Sequence, residues 1–421
     1  MRIAAAALTL AILAAIDSAP RPARERLEKL EARVRAAIKA GDQQTRIAAD
    51  KELLTLLNGS PQAVEALARA YAAAGDKPNA IAALNRFANL GLSDDGLFNA
   101  TGGSFSSLES LPEYKQVLDR FRANRKPVSL GVTSITLSDP GLLAEDIDYD
   151  PSARAFLVTS VLQHKIVRAT LEGKVTDFAT SPDRWPMLAV KIDVPHGRVW
   201  AAEVALDGFT TAPKDAWGRS AVLCFDLKSG KLLQRIEGPA HSALGDMVLD
   251  KDGEPIVSDG QGGRLYRVAN GALRPIDTTE FISPQTPVLA PSGDAILVPD
   301  YMRGIARLDL LTSKVSWFDG SSAALIGVDG LYLHGRSLIL TQNGTSPQRI
   351  LLLELDPSLT SIISSKVIEQ GTPTTDPTHG VFVGDDFFYI ANSGWNLLDD
   401  HGEVKPGSHL APAIIMRYSL K

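Results

Sequence analysis

The chain has 421 residues, 44% of them hydrophobic and 22% charged, with 34 glycines and 25 prolines, a globular and turn-rich composition long enough for two or three domains. A net charge of −6 without a basic stripe excludes a nucleic-acid partner held through its phosphates. The lone Cys224 excludes intramolecular disulfides and cysteine-rich metal clusters, and it sits in Ala221-Val-Leu-Cys-Phe-Asp-Leu227, the pattern of a buried strand.

Arg2 precedes an apolar run from Ile3 to Ile16, which suits the h-region of a secretory signal and is too short for a stable membrane helix. Residues 1–19 are therefore expected to be a signal peptide cleaved near Ser18 or Ala19. An exported protein, periplasmic or secreted, follows, with no membrane span after cleavage. From residue 20 to 126 the apolar period is helical, with Leu27, Leu30, Val34 and Ile38 on one face. Ser60 to Leu92 resembles one tetratricopeptide unit: Val64, Leu67, Ala68 and Tyr71 on a first helix, Gly75 at the turn, then Ala80, Leu84 and Phe87 on a second. Glu25 to Leu57 and Leu111 to Phe121 read as flanking helices, Gly91 to Ser107 as a loop. The resulting small all-α domain offers a groove around Tyr71 to a peptide or protein partner.

After the linker Arg122 to Pro127 the period becomes two, and one unit recurs six times to residue 421. Its tight turns begin at Asp150, Asp193, Asp250, Pro291, His334 and Gly384, at intervals of 41 to 57 residues. A four-stranded propeller blade needs about 40–50. The predicted fold is thus mainly β, a six-bladed β-propeller behind a helical domain. Its last blade lacks a strand, and Val128 to Ile135 is the spare segment that closes the ring outside Ile414 to Leu420, which would pin the helices beside blade six.

In a propeller the starts of the innermost strands and the ends of the second strands converge on one mouth of the central channel. In register the first set is Glu145, Leu188, Gly245, Gln285, Asp329 and His379; the second is Ser160, Glu203, Asp259, Asp300, Asn343 and Asn392, with Asp146, Asp148 and Asp246 close by. Oxygen donors of this kind suit Ca2+ or Mg2+. The alternatives are a water-filled polar tunnel for the carboxylates, a hydrogen-bonded structural role for His379, and turn capping for Asp259, Asp300, Asn343 and Asn392. Two long loops, Val204 to Ser220 and Ser393 to Pro412, are expected to flank the mouth, with Trp217 and Trp395 as candidate substrate contacts.

Over residues 140–420 the chain resembles the six-bladed propeller family of senescence marker protein, gluconolactonase and luciferin-regenerating enzyme. The resemblance is carried by Ala144-Glu-Asp-Ile-Asp-Tyr-Asp-Pro151, Leu244-Gly-Asp-Met-Val-Leu-Asp-Lys-Asp-Gly253, Ser283-Pro-Gln-Thr-Pro287 and Val328-Asp-Gly-Leu-Tyr332. It implies a divalent cation held by Glu145, Asp329 and Gln285, and a small-molecule lactone or related ester hydrolysed with Asp329 or His379 as proton acceptor. It also places Gly245, which has no side chain to offer, where the family has an Asn. Asp246, Glu203, Asp300 and Asn343 complete the candidate channel set. A non-catalytic binding module, using the helical groove and the propeller face, is the other reading.

Overall fold

A computed structural model describes residues 22–94, 103–276, 280–372 and 376–421. The expected signal peptide, and residues 95–102 of the expected loop, lie outside the described residues. No helix among the described residues is long and apolar enough to cross a membrane.

Among the described residues five α-helices come first: α1 (Pro22–Ala40), α2 (Gln43–Leu56), α3 (Pro61–Ala73), α4 (Lys77–Asn89) and α5 (Pro112–Asn124). Their starts follow from local chemistry. Asp42 and Asp76 cap α2 and α4 by accepting from Thr45 N at 3.0 Å and Asn79 N at 3.3 Å, and prolines open α3 and α5, where a missing N–H costs nothing. The apolar faces of α3, α4 and α5 close on a core containing Leu84, Phe87, Leu108 and Phe121.

Six antiparallel sheets follow in sequence order, over 144–180, 187–237, 244–275, 288–317, 328–370 and 380–419. Their alternating inward residues bury the apolar layers between neighbouring blades. Phe156, Val158 and Ile390 meet between blades one and six, and Trp200, Val257 and Tyr266 between blades two and three. Blade six contributes three strands of its own and takes its outermost from Val132–Thr136, which pairs with Ile414–Ser419. The ring is closed as expected, with one correction: the segment splits. Val128–Ser129 joins the outer edge of blade five, with Val128 opposite Gln370, and only then does the chain cross to blade six. The crossing occurs at Gly131, where a Cβ would lie 2.5 Å from the Tyr389 hydroxyl.

The helical domain sits over blades four and five rather than beside blade six. Ile282 and Met302 pack into the core of α1 and α2, and Ala324 into that of α3 to α5. Arg24 Nη2 donates to Ile282 O at 3.0 Å, Asn58 Nδ2 to Phe318 O at 3.2 Å and Ser93 N to Ser346 O at 2.8 Å. Gln62 and Glu65 of α3 face Gly344 and Ser346 across a cavity of about 280 Å³, so this side of the tetratricopeptide-like unit is turned to the propeller.

Candidate functional site

Four of the six innermost strands begin with a β-bulge, and the bulge falls on the candidate ligand positions. The ladder passes from Ala144–Ser160 to Ile147–Val158, from Met187–Glu203 to Ala189–Ala202, from Leu244–Asp259 to Asp246–Ser258, and from Val328–Gln342 to Gly330–Thr341. Glu145, Leu188, Gly245 and Asp329 are left without a partner residue opposite. A bulge bends the strand and re-aims its side chain, here toward the channel. The freed backbone donors are recovered by hydroxyls of the second strand: Asp146 N reaches Thr159 Oγ1 at 2.8 Å and Gly330 N reaches Thr341 Oγ1 at 2.7 Å.

Glu145, Asp329 and His379 converge, with ligand atoms within 4.8 Å of one another. His379 is almost fully buried and engaged through both ring nitrogens: Nδ1 lies 3.0 Å from Glu145 O, and Nε2 lies 2.7 Å from Asp246 Oδ1 and 3.0 Å from Thr286 Oγ1. The Thr286 hydroxyl in turn donates to Asp246 Oδ1 at 2.8 Å. Burial alone would depress His379, but the carboxylates of Asp329 and Asp246 outweigh it and hold the imidazole well above its usual value. Its two nitrogens face the acceptors Glu145 O and Asp246 Oδ1, an arrangement that favours the protonated ring.

Two of the carboxylates around the channel have a cation partner, and a third is held by backbone amides. Lys191 Nζ lies 2.6 Å from Asp146 Oδ2, and His379 pairs with Asp246. Asp148, pushed up to about 6 by burial, accepts from Tyr149 N at 2.8 Å and Ile192 N at 2.7 Å. Glu145 and Asp329 remain, and among the described residues neither has a salt-bridge partner. Trp395 Nε1 donates to Glu145 Oε2, and Asn343 Nδ2 donates to Asp329 Oδ2 at 2.7 Å, itself steadied by Tyr301 Oη 3.0 Å from Asn343 Oδ1. Burial, then the nearby Asp329, hold the Glu145 carboxyl well above the usual range. Burial also pushes Asp329 up to about 6, with His379 pulling it down and Asp246 pushing it up. Two adjacent carboxyls held by neutral donors, both pushed toward their protonated forms, are a hard oxygen pair whose repulsion a divalent cation would relieve.

Six of the sequence-derived residues thus meet: Glu145, Asp246, Asp329, Asn343, His379 and Trp395. Gln285 stands at the edge, its Nε2 3.1 Å from Ser283 Oγ and 3.3 Å from Ser283 O, so only its amide oxygen remains for a ligand. The other three are placed elsewhere. Glu203 is fully buried between Ser181 Oγ at 2.5 Å and Arg235 Nε at 3.2 Å, where burial pushes it up to about 7. Asp300 caps turns, accepting from Ile282, Ser283, Met302 and Arg303 backbone N–H groups at 2.6–3.0 Å. Trp217 braces its own loop by donating to Phe209 O and Ala212 O, both at 3.2 Å. Lys191, Thr286 and Tyr301 belong to the network without having been singled out; Thr286 was adjacent to Gln285 in the same motif.

The two long loops meet above the mouth. Phe209 and Trp395 pack at a ring-centroid distance of 6.1 Å, and Thr210 N donates to His401 O at 3.1 Å.

No family model matches the chain, and no curated protein is similar to it in sequence. Among solved structures it is similar to regucalcin, a calcium-binding protein from Agrobacterium tumefaciens strain C58, at 16% identity over 68% of this chain and 95% of the other, with a TM-score of 0.47. Luciferin-regenerating enzyme is similar at 13% identity over 69% and 95%, with a TM-score of 0.46. Virginiamycin B lyase from Staphylococcus aureus is similar at 14% over 69% and 98%, again with a TM-score of 0.46. At these identities the likeness speaks to the fold alone, which the strand pairings establish independently.

Proposed function

We propose that the channel mouth holds a divalent cation between Glu145 and Asp329 and hydrolyses a lactone or related ester there. The observation that carries this reading is the pairing of charges: with Lys191 on Asp146 and His379 on Asp246, Glu145 and Asp329 are the two carboxyls without a salt bridge that lie together, and side-chain donors to them are neutral. The choice of a lactone rests on the motif resemblance over residues 140–420. Export, for which the apolar run Ile3 to Ile16 is the support, belongs to the same proposal.

Glu145, Asp329 and the amide oxygen of Gln285 are the groups that would hold the ion. When bound, it supplies Lewis-acid polarisation of a carbonyl. The protein's own residues do the rest. Trp395 and Asn343 each occupy one carboxylate oxygen of the pair and so fix which oxygen faces the mouth. Asp329, ionised above about pH 6, accepts the proton of a water that adds to the lactone carbonyl carbon. As the ring C–O bond breaks, that proton passes to the departing ring oxygen, leaving a hydroxy acid. His379 keeps its proton throughout and lowers the cost of the negative charge gathered around it.

A purified, chelator-stripped protein assayed on a lactone panel with Ca2+, Mg2+, Mn2+ or Zn2+ restored tests the reading. Cation-dependent ring opening, abolished in Asp329→Asn, is the expected result; inertness on every lactone with every ion contradicts it.

A further inference from the structure

The bulge ring that presents Glu145 and Asp329 is not acidic all the way round. Blades two and three put Leu188 and Gly245 at the equivalent positions. Gly245 is unlike most close-packed glycines in this chain: a Cβ there would meet only Leu188 Cδ1 at 3.9 Å and Ala243 O at 4.0 Å, and its backbone is not in the left-handed region. The position has room for a Cβ at ordinary contact distance, bordered by a leucine and a backbone carbonyl. Leu188 belongs in turn to an apolar cluster with Leu143, Phe209, Leu398, Trp395 and Leu410, which joins blade one to both loops over the mouth. Leu143 and Leu410 also line a neighbouring cavity of about 190 Å³ of mixed character, with Leu142 and Leu397 beside Asp139, Asp376 and Asn392.

The mouth therefore has two halves of opposite chemistry. One carries Glu145, Asp329, Asn343 and the His379 pair; the other carries Leu188, the space at Gly245 and the Phe209–Trp395 roof. A polyhydroxylated substituent placed against Leu188 and the Phe209–Trp395 roof would lose its water without side-chain hydrogen-bond partners there, whereas an apolar substituent gains about 0.8 kcal/mol for each CH2 it buries. Trp395 spans the two halves, with its indole N–H on Glu145 and its ring against Phe209.

We infer that the substrate is an amphipathic lactone or ester, with its carbonyl on the acidic half and an alkyl or aryl substituent over Leu188 and Gly245. Gly245 sets the room available to that substituent. The inference rests on the reading of the mouth as a hydrolytic site, and it can be tested apart from that reading. The probes are δ-valerolactone, which has the ring without a tail, δ-decanolactone, which has the same ring with an alkyl tail, and polyhydroxylated δ-gluconolactone. A Cβ at this position meets no clash and the backbone is ordinary, so Gly245→Leu is expected to fold, which a melting curve checks.

With the wild-type chain, kcat/KM is expected to be roughly tenfold or more higher for δ-decanolactone than for δ-gluconolactone. Gly245→Leu should lower the δ-decanolactone to δ-valerolactone ratio at least about tenfold. A preference for δ-gluconolactone, or an unchanged ratio in Gly245→Leu, overturns the inference while leaving lactone hydrolysis standing. Should no lactone be turned over, hydrolysis fails and calorimetry decides the subsite alone. Binding of δ-decanolactone to the wild type, weakened in Gly245→Leu, supports it; absence of binding to the wild type overturns it.

Discussion

His379 Nε2 lies 2.7 Å from Asp246 Oδ1, although the two residues are 133 positions apart, and this pair decides which carboxylates at the mouth need another cation. Asp246→Asn removes the main hydrogen-bonded charge that raises the imidazole. Followed by NMR, the His379 ring should titrate well above the ordinary range in the wild type and closer to it in Asp246→Asn. The stability gained from the raised value is fully present below the unfolded pKa and is lost as pH rises through the folded one. An imidazole titrating near its ordinary value in the wild type would return His379 to the pool of proton acceptors.

Arg349 ties the two parts of the molecule together. Only 2% exposed, it donates Nε to Gln342 Oε1 at 2.7 Å and Nη1 to Leu90 O and Gly91 O at 3.3 and 3.4 Å, just past the end of α4, where the helix dipole favours a cation. Gln342 completes the lock through Nε2, 2.9 Å from both Ala324 O and Ile326 O, and it immediately precedes Asn343. Arg349→Leu leaves buried acceptors without donors and should cost about 2–4 kcal/mol in denaturant unfolding. Arg349→Lys should recover only part of this, because an ammonium cannot reproduce the fork. A loss below about 0.5 kcal/mol for Arg349→Leu would mean the helices are not locked at this point.

Removing residues 1–127 keeps the closing strand Val132–Thr136 but uncovers Ile282, Met302, Ala324 and Arg349. The truncated propeller should fold with a lowered melting temperature. Removing residues 1–137 also takes away Ile135 and Leu137, both buried against blade one, and opens the ring. It should melt lower still or aggregate through the exposed edge. Equal melting temperatures for the two truncations would contradict the role of the closing strand.

Much of this was legible in the sequence because blades are local objects. The six repeated turns and the alternation between them fixed the blade count, and the place where each alternation starts located Glu145, Leu188, Gly245 and Asp329 in one register. Contacts between distant segments were not legible. Nothing in Thr378-His-Gly380 reveals that His379 is held at both nitrogens, since its partners come from blades one, three and four. Arg349 reads as an ordinary strand residue until Leu90 and Gly91 are brought against it. Glu203 and Asp300 stand at the expected strand ends, but a neighbouring arginine and four backbone amides, respectively, absorb them. Strand periodicity says where a side chain starts, not which partner reaches it first.

The carboxylate pair also has a signature in pH. In chelator the Asp329 carboxyl, pushed up to about 6, stabilises the fold most when protonated, so stability should fall as pH rises from about 4 through about 6. Asp329→Asn should flatten that dependence and raise the melting temperature above the wild type at pH 7.5. A wild-type curve no steeper than that of Asp329→Asn would remove the argument from repulsion.

The most direct measurement is calorimetric titration of chelator-stripped protein with Ca2+ and with Mg2+ at pH 7.5, alongside Glu145→Gln and Asp329→Asn. The account expects saturable binding of one ion to the wild type with a rise in melting temperature, and neither response in the two variants, although both should be more stable than the wild type in chelator. A wild-type chain that shows no binding heat and no thermal shift with either ion, and that melts with the variants in chelator, would contradict a cation held between Glu145 and Asp329.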